Sequence, residues 1–471
     1  MTQSLLRSAR SGVISAARDF SSGITLYDGR TVMIDEGLPV HLANLHLHPQ
    51  YTLEHFDDIS KGDLFLANSP YAGSTHAADF TLYAPVFYDG VPLFWSINRA
   101  HQADIGAPEP TTYLQEAETI YQEGPHFPGI RIQEEYEDKD DIVRMCKLNI
   151  RSGETTWYGD YLGQVSAVRT GEEGIEELCE EYGVKKVKAF TDAWFDYGDR
   201  MMKQEIEQLP ESSLEYTAHH DPIEYNEAAP DGIPINVTID IRPNEGRMVV
   251  DLTDNIENIP AGVNLSEATT IASVRAGIFC NLDSSLPRNH GSISRIDIKM
   301  DEGKIIGKPE FPAGTSCATS NVNDMLFNAV RAAFGDLGEP YGFAEVNAAF
   351  PPNWGVISGE DFRRDDEPFA NQLFFTAGGG GGIGTGHDGW LTHGVPDACG
   401  ILYRDSIEVD EKKYPILVEN EELVTNSEGA GKYRGTPGAR VEYRPRGNPM
   451  SVSFHGTNYE TPPRGDRKSV V

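Results

Sequence analysis

The strongest constraint on this chain lies between Asp19 and Arg99, where short runs rich in β-branched and aromatic residues alternate with Gly, Asp and Pro. These runs are GITLYDG, TVMID, DLFLAN, FTLYAPVFYDG and LFWSINRA. Apolar runs of this kind, punctuated by turn formers, pair as strands. The first part of the chain is therefore expected to be sheet-rich.

The chain is 471 residues long, more than one core readily organises, so several domains are expected. Residues 171–209 read as helical, with spaced apolar positions in GIEELCEEYG and KAFTDAWFDYGDRMMKQEIEQLP and a stop at Pro210. A polar stretch over 211–234 suggests a boundary, which divides the chain into 1–215 and 216–471. Beyond it, INVTIDIRP and RMVVDLTD read as strands joined at Asn244-Glu245-Gly246. SEATTIASVRAGIFCNL and NDMLFNAVRAAFG suit helices, with SRIDIKM and KIIGK as a hairpin between them. The expected fold class is α+β, a multi-domain mixture of α and β.

Charge narrows the partners. With 73 acidic against 39 basic residues the formal charge is -34, which repels nucleic acid and anionic membrane surfaces. Neither is expected as a partner. The cysteines, Cys146, Cys179, Cys280, Cys317 and Cys399, form no CxxC pair, so neither a disulfide framework nor a thiolate zinc site is expected. No run is long and apolar enough for a membrane span, and MTQSLLRSARSG lacks a signal-peptide core. A cytoplasmic protein is expected.

Two short segments carry the chemistry. NSPYAGSTHAAD ends in His76 and Asp79, and NRAHQADIG repeats the His-x-x-Asp spacing at His101 and Asp104. On a helical turn that spacing puts imidazole and carboxylate on one face. Mixed nitrogen and oxygen donors suit zinc, manganese or iron, and with an open position they support hydrolytic or Lewis-acid chemistry. The competing explanation is that such histidines cap turns or bond buried carbonyls. His41, His46 and His48 in PVHLANLHLHP form a further group, His46 and His48 sharing one face if the segment is a strand. AGGGGGIGTGHDG at 377–389 invites a phosphate-loop reading, but it lacks the Lys-Ser or Lys-Thr ending of a P-loop. His219 and His220 fall in the polar stretch and are expected to be solvated.

The runs GDLFLANSPYAGSTHAAD, NRAHQADIG and IYQEGPHFPGIRI, followed by DLTDNIENIPAGVN, LPRNHGSI, FPAGTSCATSNV, the glycine run and SEGAGKYRGTPG, resemble the hydantoinase B family in content and order. That family includes oxoprolinase halves, lactamase subunits and metal subunits of ketone carboxylases. The resemblance implies a metal bound by Asp19 of RDFSS, His76, Asp79 and His101, which would make 1–215 the metal-binding domain and leave the Gly-rich loop in 216–471. GSTH replaces the usual double-glycine turn, and Gln102 stands where many relatives have a second histidine.

By the same resemblance, the chain is expected to work in a hetero-oligomer with a hydantoinase A-type ATP-binding subunit. That partner would use ATP to phosphorylate the carbonyl of a small cyclic amide, which the metal subunit would then help to open. Asp104 is expected to orient His101 or act as base, and His41 to line the pocket. Carboxylation of a ketone is the alternative, weakly favoured by Gln102. A non-catalytic scaffold is the third, disfavoured because all four ligands are retained.

Overall fold

The computed structural model describes the chain except for residues 36, 42–43, 224, 349–353, 376–385, 390–395, 397–401 and 465–471. The architecture is mixed α and β. Seven strands form the first sheet: β1 Phe20–Leu26, β2 Thr31–Asp35, β3 Leu64–Ala67, β4 Asp79–Tyr88, β5 Val91–His101, β6 Pro128–Glu134 and β7 Glu137–Asp138. Their order is β2-β1-β5-β4-β3-β6-β7, with antiparallel neighbours throughout. Each strand-like run expected between Asp19 and Arg99 is present.

β4 is buried over its first eight residues, because both faces of the sheet are covered. On one face the helix Tyr158–Tyr182 brings Tyr161 and Val168 against Phe80, Leu82 and Ala84. On the other, Leu45, Phe65, Tyr83, Trp95 and Ile97 pack together. Helix formation begins at Tyr158, earlier than residue 171, and Gly183 separates this helix from a second one, Val184–Glu207.

A second sheet runs β11-β10-β9-β8, from β8 Ser212–His220, β9 Ile233–Arg242, β10 Arg247–Asp251 and β11 Ile296–Lys299. Alternate residues of β9 are buried, the pattern of a sheet with one face on a core. Helices Glu267–Phe279 and Val322–Ala333 contribute to that core, as do Met202 and Ile206 of helix Val184–Glu207. Two expectations change here. Residue 215 falls inside β8, which pairs with β9 along its whole length, so the expected boundary cuts a strand of the second sheet. β11 pairs in parallel with β10 rather than forming a hairpin with KIIGK. Two smaller sheets follow, β13-β12-β16 and β14-β15, from β12 Val356–Asp361, β13 Glu367–Gln372, β14 Ile416–Leu423, β15 Ala439–Pro445 and β16 Met450–Ser453. Among the described residues no helix is long and apolar enough to cross a membrane.

Candidate metal centre

The β4–β5 hairpin builds the site. It turns at Asp89 and Gly90, with φ of 50° and 74°, the Asp-Gly pair that a two-residue hairpin with positive φ at both positions favours. Tyr88 pairs with Val91 and Phe87 with Pro92; the register then shifts by one residue, so that Val86 faces Phe94 and Asp79 faces His101. Directly opposed residues project on one face with Cβ atoms about 4.5–5.5 Å apart. On the far edge of β5, β1 pairs Phe20 with Ala100, and His101 N donates to the Asp19 carbonyl at 3.1 Å. Three adjacent strands thus bring Asp79, His101 and Asp19 together at one edge. His76 arrives from the turn before β4, its carbonyl accepting from Asp79 N at 3.2 Å. That turn is not helical, so the two groups meet without the helical face that the His-x-x-Asp spacing would use.

His76, Asp79 and His101 are buried, and each offers a ligand atom within 4.8 Å of the others. The His76 Nδ1 faces the Ser316 carbonyl at 2.9 Å, which requires it to donate and leaves Nε2 with a lone pair in the neutral ring. Nε2 makes no hydrogen bond among the described residues, yet Asp79 Oδ1 lies 3.1 Å away. Two buried electron-pair donors at that distance need a positive charge between them. A proton answers the need in part: burial opposes charge on His76, but Asp79 and the Ser316 carbonyl outweigh it and raise its pKa. A divalent cation fits the same donors.

His41 adds a third imidazole. Its Nε2 is 3.3 Å from Asp79 Oδ2 and its Nδ1 is 2.9 Å from Ser21 Oγ. Burial lowers the His41 and His101 pKa values despite Asp79, which keeps both rings neutral. Asp79 itself would be raised by burial, but His76, His101 and His41 hold it well below the usual carboxylate range; Thr75 Oγ1 also donates to it. Asp19 lines the same cavity as these four residues, a space of about 30 Å³, enough for an ion or water. Tyr113, Thr319, Trp354, Phe374 and Leu402 complete much of its wall.

Other expected residues are placed elsewhere. The Asp104 carboxylate accepts from Arg151 N and Nη1, both at 2.7 Å, so the orientation of His101 falls to other groups. His101 Nδ1 faces Asp79 Oδ1 at 3.1 Å and Nε2 faces Thr112 Oγ1 at 3.2 Å. His46 and His48 do not share a strand face, because Leu47–His55 is a helix. His48 Nε2 is 2.9 Å from Arg99 Nη2 and serves as an acceptor for a buried guanidinium. His220 is buried at the end of β8, where Nδ1 meets the Asp221 carbonyl at 2.7 Å, and is not solvated. Of the glycine stretch 377–389, all but 386–389 lies outside the described residues.

Comparisons with known proteins give the family. The family described as hydantoinase B/oxoprolinase matches residues 1–467. The chain belongs to the hydantoinase B/oxoprolinase family. A member from Pseudomonas jessenii, the caprolactamase subunit beta, is 28% identical over 99% of this chain and 78% of its own length. The acetophenone carboxylase delta subunit of Aromatoleum aromaticum is 26% identical over 92% of this chain and 63% of its own. The crystal structure of the ATP-dependent caprolactamase from Pseudomonas jessenii superposes with a TM-score of 0.84 at 26% identity, covering 94% of this chain and 75% of that one.

In this hydantoinase B/oxoprolinase chain, further residues that carry no metal-ligand pattern surround the candidate centre. Buried Glu123 accepts from Thr315 N and, at 2.7 Å, from Ser316 N, and thereby holds the Ser316 carbonyl against His76. The Tyr113 ring lies 5.9 Å from that of His76, 5.7 Å from His101 and 4.5 Å from His455. His455 Nε2 is 2.7 Å from Ser320 Oγ, and burial, with His220 and His76, lowers its pKa to about 3. Glu123 and Ser316 fall within segments that match the family, but only the fold shows that they meet.

Proposed function

We propose that this chain is the metal-binding subunit of an ATP-dependent amidohydrolase that opens a cyclic amide after a partner ATPase subunit has activated the ring. One observation carries the reading: the lone pair of His76 Nε2 and the Asp79 carboxylate converge with His101, His41 and Asp19 on one buried cavity. His76, Asp79, His101 and Asp19 would hold a zinc, manganese or iron ion. Such an ion supplies Lewis-acid polarisation of a carbonyl or acidification of a water.

The protein's own groups do the rest. The Ser316 carbonyl fixes the His76 tautomer, Ser21 orients His41, and Thr112 orients His101. His41, with Nε2 3.3 Å from Asp79 and Nδ1 2.9 Å from Ser21, would line the pocket and donate a hydrogen bond from Nε2 to the Asp79 carboxylate. Asp104 lies against Arg151 and supports the loop after β5 instead. The cavity bounded by the described residues is ion-sized.

The similarity to a caprolactamase subunit supports hydrolysis, and the similarity to an acetophenone carboxylase subunit keeps carboxylation of a ketone as the second reading. Gln102 no longer favours it, because its Nε2 donates to the Ala100 carbonyl at 3.1 Å and the residue is absent from the cavity wall. The test is metal content, by plasma mass spectrometry, of the protein purified with its partner subunits. About one transition metal ion per chain, lost in His76→Ala, is expected, with ATP-dependent ring opening that needs no bicarbonate. A metal-free wild-type complex refutes the centre and favours a scaffold; a bicarbonate requirement moves the activity to carboxylation.

A further inference from the structure

A second cavity, of about 120 Å³, has Arg30, His46, Gln50, Arg275, His290 and Ser294 in its wall, with no carboxylate among its described lining residues. In a chain of formal charge -34, two arginines and two histidines around one cavity are a local reversal of sign. Its size admits several waters or one compact polyatomic ion.

Four separate elements bring these groups together. Arg30 stands in the turn between β1 and β2, next to Gly29, whose φ is +92° and where a Cβ would lie 3.1 Å from the His46 carbonyl. His46 and Gln50 are one helical turn apart, joined by Gln50 N donating to the His46 carbonyl at 3.3 Å. His290, in LPRNHGSI, and Ser294, the residue after that segment, repeat that relation at 3.0 Å. There Asn289 caps the turn by accepting from Ser292 N and ties it to helix Val184–Glu207 by donating to the Trp194 carbonyl at 2.7 Å. Arg275 comes from helix Glu267–Phe279. His46 and Arg275 are engaged within the fold as well.

The electrostatics agree with the placement. His290 has its pKa lowered, first by burial and then by Arg30, with Arg275 acting in the same direction and Asp28 against. Both guanidinium charges therefore reach the histidine. Asp28 takes only one side of the cluster, at Arg30 Nε, 2.9 Å. Two guanidinium charges facing one cavity, with imidazole groups beside them, are relieved by an anion that accepts hydrogen bonds from several of these groups at once. We propose that this cavity, formed by Arg30, His46, Arg275 and His290, is a binding site for a compact oxyanion, a phosphate or a carboxylate group. The inference does not depend on the metal centre.

The probes are inorganic phosphate and acetate, titrated calorimetrically into the complex with its partner subunits, at pH 7 and at ionic strength matched with chloride. Arg30→Gln and His290→Gln are the variants; Arg30 is exposed in a turn and His290 is half-buried at the start of a short helix, and circular dichroism checks their folding. Saturable binding that weakens by ~10-fold or more in Arg30→Gln, from the loss of one charged hydrogen bond, and by a smaller factor in His290→Gln, from the loss of an imidazole donor, is expected. Preference for phosphate assigns a phosphoryl ligand, and preference for acetate assigns a carboxylate. Absence of saturable binding of either ion overturns the proposal, as does binding that persists unchanged in both variants, since that ion then sits elsewhere.

Discussion

Replacing Glu123 with alanine tests how the second half of the chain controls the proposed metal centre. Its Oε1 accepts from both Thr315 N and Ser316 N, and Oε2 lies 3.2 Å from Thr315 Oγ1. Alanine leaves two buried backbone N–H groups without that acceptor, at about 1–3 kcal/mol each. The loop is then free to move the Ser316 carbonyl away from His76 Nδ1. Glutamine can keep one oxygen facing both N–H groups, and its amide can donate to Thr315 Oγ1, so the loss is about 1 kcal/mol. Removing a group that orients a metal-ligating histidine typically weakens metal binding ~10–100-fold. Chelator competition on the assembled complex should therefore show that loss for Glu123→Ala, a loss below ~10-fold for Glu123→Gln, and the same ranking in denaturant midpoints. A folded Glu123→Ala variant with wild-type metal affinity would refute the claim that the loop positions His76.

Two further expectations follow from particular side chains. Asp104→Asn should lower stability by about 1–3 kcal/mol, because a buried acceptor of two Arg151 N–H groups is weakened, while metal affinity in the same chelator assay stays within about three-fold of wild type. Asp405 and Asp410 share a side-chain hydrogen bond, and burial, with their mutual repulsion at Asp410, raises their pKa values to about 6 and about 8. Carboxyls raised in the folded state bind more protons than in the unfolded chain, so their contribution is full at acid pH and declines as pH rises from about 4 to about 8. Urea melts should show Asp410→Asn stabilising the protein by on the order of 2 kcal/mol at pH 8 and by much less at pH 5; equal effects at both values would contradict a shared proton.

Strands β1 to β5 of the first sheet and the two apolar helices of the second half were legible because each is a local pattern of turn formers and apolar spacing; β6 and β7 were not among the runs expected. β8 was not, since SSLEYTAHH mixes charge with its buried alternation and reads as polar until β9 pairs with it. His46 and His48 were misplaced for a related reason: their period-two spacing suits a strand, but burial of Arg99 against His48 and Asn44 accompanies a helix. Glu123 gave no chemical signal at all. Its role exists only because Thr315 and Ser316, 192 and 193 residues away, return to it.

The sequence by itself determined the donor types, the strands that carry them and the family. Their meeting was decided by the tertiary structure. At the turn, Tyr88 pairs with Val91, a sum of 179; after the bulge Asp79 pairs with His101, a sum of 180. Without that one-residue shift Asp79 would face Ala100, and His101 would project from the opposite face, because successive residues of a strand alternate sides. Pro92 stands at the irregularity, opposite Phe87, and has no N–H to give the ladder, so the sequence marks where pairing can break. The register beyond it, which sets Asp79 opposite His101, exists only once the two strands are paired.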